Sequence, residues 1–109
     1  MPSPRRLVSR FVLPRGVAVA LSASLLAGCG SVFAGVETLR AERKLEEARA
    51  HGAAKHAPYE FTMAEEHLAK ARLEAAEADY GDAERLSQIA IGYAERALAL
   101  SRARTGAGR

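Results

Sequence analysis

Few residues of this 109-residue chain have the type and spacing that chemistry needs. Three histidines, His51, His56 and His67, stand five and eleven positions apart. No two of them share a helix face at the i, i+4 spacing of a helical zinc site. The carboxylates alternate with basic residues at helical spacing, as in Glu66 and Lys70. This reads as a solvated face whose pairs contribute tenths of a kcal/mol. Ser87 and Ser101 have no partner base in view, and no glycine-rich loop is present to cradle a phosphate. No catalytic residue and no metal ligand is therefore expected. What is left is one sulfur. Cys29 is the only cysteine, so no intramolecular disulfide can form. It follows Leu26 and the small pair Ala27-Gly28.

The residues before Cys29 have the parts of an export signal. Met1 to Arg15 carries four arginines, Arg5, Arg6, Arg10 and Arg15, and none of the 13 acidic residues of the chain precedes Cys29. Gly16 to Ala27 is uncharged and twelve residues long, short of the roughly 20 that a spanning helix needs. Removing residues 1–28 from 109 leaves 81, and removing four of the 16 basic residues leaves 12 against 13 acidic, a net charge of −1. The +3 charge and pI of 9.4 thus belong to the leader and argue for no nucleic acid.

At the end of such a leader, Leu26-Ala27-Gly28-Cys29 resembles the lipobox of bacterial lipoprotein precursors. The resemblance implies that signal peptidase II reads Leu26, Ala27 and Gly28, cuts before Cys29, and leaves a diacylglycerol on its sulfur. That covalent lipid is the only added group expected; no cofactor is. Two or more acyl chains anchor stably, at about 0.8 kcal/mol per buried CH2. The next residue is Gly30, not the Asp that commonly retains such proteins in the inner membrane. The resemblance therefore implies an outer-membrane anchor in a diderm host, with the domain on the periplasmic face.

The elements that follow are helices. Residues 29–36 are expected as the lipidated cysteine and a short tether, loosened by Gly30 and Gly35. Residues 37–104 are rich in Ala, Glu, Arg and Leu, all strong helix formers. A first helix is predicted from Glu37 to Ala54, with Ala41, Leu45 and Ala48 as a thin apolar stripe and Gly52 weakening its end. Pro58 suits the first turn of a second helix, which is predicted to run to Asp79. Phe61, Ala64, Leu68, Ala71, Ala75 and Ala78 make one continuous seam along it. Gly81 is expected to close this helix in the left-handed conformation, and Asp82 to cap the third. On that third helix, Asp82 to Arg104, the residues Ala83, Leu86, Ala90, Tyr93, Ala97 and Leu100 repeat the same spacing. Two matched seams on a short turn predict an antiparallel helical hairpin over residues 58–104. Ile89, Ile91 and Ala94 widen its face to receive the first helix or a partner. Residues 105–109 are expected as a frayed tail. The fold class is all-α: a hairpin plus one N-terminal helix.

From about Ala50 to Arg104 the chain resembles the bacterial domain-of-unknown-function family 4398. The residues that carry the resemblance are Ala57-Pro58-Tyr59-Glu60-Phe61, the run Ala64 to Ala78, Asp79-Tyr80-Gly81-Asp82-Ala83, and Ala90 to Ala97. Members are often lipoproteins or are joined to outer-membrane peptidoglycan-binding domains. The family has no established activity to lend.

The expected function is a lipid-anchored envelope scaffold or adaptor without catalysis. The alternative is an accessory or ligand-binding subunit of an envelope export or cell-wall machine. A core built on alanine buries little area, and a domain of about 80 residues without a staple is marginal. The expected partners are thus the membrane, through the lipid, and either a protein partner or a second copy.

Overall fold

A computed structural model describes residues 14–108, without the side chains of residue 18 and residues 21–28. Residues 1–13 and the side chains of Leu26, Ala27 and Gly28 lie outside the described residues, so the leader's reading stands on the sequence.

Among the described residues every regular element is helical: α1 (Arg15–Ala50), α2 (Ala53–His56), α3 (Pro58–Ala76) and α4 (Tyr80–Ala107). No helix among them is long and apolar enough to cross a membrane. Helices α3 and α4 form the antiparallel hairpin, and α1 lies against it. Helix α4 is the centre, packed along both α1 and α3, which touch each other less. The contacts give the directions. Thr38 meets Ser87 and Glu47 meets Arg102, so α1 and α4 run parallel. Glu42 meets Arg72 and Glu65 meets Arg49, so α3 runs against α1.

The interior is made of small side chains. Ala41, Leu45 and Ala48 of α1, Phe61, Ala64, Leu68 and Ala71 of α3, and Ala83, Leu86, Ala90 and Ala97 of α4 are all buried. Ile91 and Ala94 lie in the same core, so α4's widened face receives α1. Tyr93 and Leu100 pack on its edge, half-buried. The largest side chains with less than 2 % exposure are two serines, Ser87 and Ser101. Both are hydrogen-bonded: Ser87 Oγ lies 3.0 Å from Thr38 Oγ1, and Ser101 Oγ donates to the Ala97 carbonyl at 2.7 Å. With so little side-chain bulk between them, the helix backbones approach closely.

Several boundaries differ from the sequence expectation. The seam of α3 ends early: Ala75 is only half-buried and Ala78 is exposed. Helix α3 stops at Ala76, and it is Ala78, not Gly81, that turns left-handed (φ 63°). The Ala78 amide then donates to the Ala75 carbonyl at 3.1 Å and the Asp79 amide to the Glu74 carbonyl at 2.9 Å, the paired bonds of a Schellman motif. Asp79, not Asp82, is the cap of α4; its Oδ1 accepts from the Asp82 amide at 3.2 Å. Gly81 is simply part of the first turn. The first helix also ends before Ala54, because Gly52 takes φ 76° and restarts the chain as α2. Pro58 occupies the first turn of α3 as expected.

Two stretches expected to be loose are helix. Residues 30–36 continue α1 without a break. Ala34 is buried there, and Thr38 one turn later donates to its carbonyl at 2.8 Å. Tertiary packing against the start of α4 therefore outweighs the helix cost of two glycines, about 1 kcal/mol each. At the other end α4 reaches Ala107, with Thr105 Oγ1 donating to the Ser101 carbonyl at 2.9 Å.

The two left-handed positions make opposite predictions. Alanine pays a steric cost in that conformation and glycine does not. Ala78→Gly is expected to raise stability by about 1 kcal/mol. Gly52→Ala is expected to lower it by at least about 1 kcal/mol, since the new Cβ would also lie 3.1 Å from His56 Cδ2. Urea titrations followed by circular dichroism check both; a loss of stability in Ala78→Gly would show that the turn is not formed this way in solution.

Candidate functional site

Cys29 is exposed on α1, near the level where the hairpin turn meets that helix. A Cβ built on Gly30 would lie 3.7 Å from Tyr80 Cβ, an ordinary contact. The thiol thus sits where the three-helix unit begins, on a helix that continues into the core.

The groove between α1 and α3 is the second feature. It encloses about 370 Å3 and is lined by Glu42, Leu45, Glu46, Arg49, Glu65, Leu68 and Arg72. Its charges answer one another. Arg72 reaches Glu42 Oε1 with Nη2 at 2.6 Å and with Nε at 3.1 Å. Arg49 joins Glu65 at 3.0 Å across the helices and also holds Glu46 on its own helix. Glu42 and Glu46, a like-charge pair in the sequence, are separately neutralised by guanidinium groups. Among the described residues the helical pair Glu66 and Lys70 does not form an ion pair; the pairs that do form lie at i, i+3 within one helix or join two helices. Exposed pairs of this kind are worth up to about 1 kcal/mol each. They fix register more than they supply energy.

Glu47 has the most perturbed carboxyl. A hydrogen bond from Lys44 (3.0 Å) is the main reason it is held below the usual carboxylate range. Partial desolvation works the other way, and the charges of Lys44, Arg102 and His51 add to the lowering. Arg102 approaches Glu47 Oε1 at 3.1 Å and so ties α4 to α1.

Two groupings are not visible in the sequence. Tyr93 on α4 is stacked by His67 of α3, with ring centroids 5.5 Å apart and planes 15° apart. Arg96 lies over the same ring at 4.3 Å, and Tyr59 meets it edge-on at 6.4 Å. Tyr59 and Tyr93 come together, while Tyr80 stands at the other end beside Gly30. The other grouping is Glu74, Asp79 and Asp82, whose carboxylate oxygens lie within 4.8 Å of one another at the turn. Two of the three have structural duties: Asp79 caps α4 and Asp82 pairs with Arg85 at 3.1 Å. Their spacing of five and three has no helical regularity, because the left-handed Ala78 folds the chain between them.

A family model described as Domain of unknown function (DUF4398) matches residues 36–107. The chain belongs to this family. No curated protein and no solved structure matches it. The DUF4398 span is longer at its start than the stretch from Ala50 that carried the resemblance. It takes in α1 from Val36 onward and all of α2, α3 and α4, with the groove and the aromatic group inside it. Cys29 and residues 30–35 lie outside the DUF4398 span.

The Glu47 geometry gives a pH prediction. Its carboxyl binds a proton less readily folded than unfolded, so its contribution is present above the unfolded pKa and is lost as pH falls through the lowered folded value. Below about pH 4, the unmodified chain should lose stability more steeply than Glu47→Gln. Denaturant midpoints measured across that range test this; parallel slopes would remove the Lys44–Glu47–Arg102 link from the account.

Proposed function

We propose that the chain is a lipid-anchored protein of the cell envelope whose DUF4398 unit serves as a non-catalytic scaffold or adaptor on the periplasmic side of the outer membrane. The observation that carries this reading is the position of Cys29. It closes a leader with a Leu-Ala-Gly-Cys ending, is exposed, and lies outside the family span. A diacylglycerol on that sulfur would hold the unit at a membrane without disturbing its packing. The alternative, an accessory subunit with a bound ligand, has two cavities to use among the described residues: the groove between α1 and α3, and a second of about 350 Å3 lined by Ala34, Thr38, Leu39, Ala75 and Tyr80. The mutual neutralisation of the groove's charges favours the structural role, because a ligand there would have to compete with formed ion pairs.

The anchor is tested by metabolic labelling with a fatty-acid probe. Cys29→Ser should abolish the label and leave the uncut precursor; unchanged labelling would sink the reading. The leaflet is tested with Gly30→Asp. An added Cβ fits against Tyr80 at ordinary contact distance, so the variant should fold and a share of it should move to the inner membrane in density-gradient fractions. The adaptor role is tested by crosslinking the lipidated protein in intact membranes. A reproducible envelope protein partner supports it, and an exclusively lipid-crosslinked monomer speaks against it.

A further inference from the structure

Helix α1 has two faces. Ala34, Ala41, Leu45 and Ala48 are buried against the hairpin. On the opposite side Val32 and Phe33 are each 64 % exposed and Val36 56 %. Positions 29, 32, 33 and 36 follow the i, i+3, i+4, i+7 spacing of one helix face. Cys29 is therefore in line with the apolar stripe and at its head. Arg40 and Arg43, both exposed, continue the same face at the next turns. Arg43 has no ion pair among the described residues, and Arg40 has only Glu37 at 3.9 Å.

We propose that this face, from Cys29 to Arg43, is a membrane-interface surface that lays α1 flat on an anionic bilayer. The proposal rests on the lipid anchor argued above and adds to it. The acyl chains on Cys29 enter the bilayer at one end of the stripe. Val32, Phe33 and Val36 sink to the boundary between headgroups and acyl chains, as the apolar side of an interfacial helix does. Arg40 and Arg43 stay at the level of the phosphates, where each attracts anionic lipid.

Three features select a bilayer over another occupant. The stripe begins at the residue that carries the lipid, so the surface is presented to the membrane without further search. It ends in two cations, which complement anionic headgroups and would repel the same arginines on a second copy in parallel register. It also faces away from the hairpin. A flat α1 then holds the acidic turn of Glu74, Asp79 and Asp82 off the anionic surface, whereas an upright α1 would press that turn against it. The helical continuity through residues 30–36 gains a purpose: a flexible tether could not present Val32, Phe33 and Val36 on one side.

The chain has no tryptophan, so one can be placed as a reporter. Phe33→Trp and, as a control on α3, the similarly exposed Leu73→Trp are purified from membranes. They are reconstituted in vesicles of phosphatidylcholine with or without phosphatidylglycerol, each also prepared with bromine-labelled acyl chains. Emission from the Phe33→Trp protein should shift to the blue and be quenched by bromine, and emission from the Leu73→Trp control should remain as in water. Replacing Arg40 or Arg43 by alanine in the Phe33→Trp background should lower the ratio of embedded to lifted reporter by about five-fold per arginine on phosphatidylglycerol vesicles. It should leave phosphatidylcholine vesicles unaffected. A Phe33→Trp reporter as solvent-exposed as the control overturns the proposal. So does a blue shift that grows with protein concentration and ignores bromine, since that assigns the stripe to a second copy. Mass spectrometry of the same samples separates the two readings. A lipidated Cys29 with the stripe reporter in water leaves the anchor standing and the interface refuted. A quenched stripe reporter without lipid on Cys29 supports the interface and refutes the anchor.

Discussion

The structure depends on how little side chain lies between its helices. Along α4 the buried positions are mostly alanine and serine, and nothing larger than serine is fully enclosed. Helices that approach this closely gain many backbone contacts, and their alignment tolerates little error, because a misplaced side chain has no space to enter. The two serines fit the same constraint. Each is barely larger than alanine, and each hydroxyl is satisfied within the unit, so neither leaves a buried polar atom without a partner. The larger buried apolar residues, Leu45, Phe61, Leu68, Leu86, Ile91 and Leu98, supply the bulk of the hydrophobic stabilisation.

A core of this kind specifies distance better than register, since one alanine resembles the next. The charged pairs supply what is missing. Arg72 with Glu42 and Arg49 with Glu65 set α3 against α1, and Arg102 with Glu47 sets α4 against α1. Thr38 and Ser87 add a polar contact inside the same α1–α4 interface. A slide by one turn would break these pairs together, at a cost that no single exposed ion pair could impose. The paired rings of His67 and Tyr93 do similar work on the hairpin's outer side.

Helix α1 joins the two halves of the proposed role. One side contributes to the core of the DUF4398 unit, and the other carries the cysteine and the exposed apolar stripe. A scaffold needs a fixed orientation on its membrane. A stiff helix that runs from the anchoring residue into the core transmits such an orientation, and a glycine-rich tether would not. The helix restart at Gly52, more than 20 residues beyond the cysteine, is where the chain first turns away from that axis.

The sequence alone determined the all-α class, the hairpin, the buried faces of its helices short of Ala75 and Ala78, and the chemical singularity of Cys29. These follow from short-range regularities: seams at helical spacing, a proline at a helix start, and one thiol behind an uncharged run. It could not place the turn correctly, because glycine at position 81 is the better left-handed residue by intrinsic preference. The register of α3 against α4 put that burden on Ala78 and gave the cap to Asp79. It could not choose the cross-helix ion pairs, since Arg72 and Arg102 have no carboxylate three or four positions away on their own helices and find Glu42 and Glu47 only when the helices pack. It also read residues 30–36 as loose, because two glycines lower helix propensity. Only the contacts of Ala34, Thr38 and Tyr80 with the rest of the unit supply the long-range packing that keeps that segment helical. Local preference decides which elements form. Close packing against distant residues decides where each one ends and which charges meet.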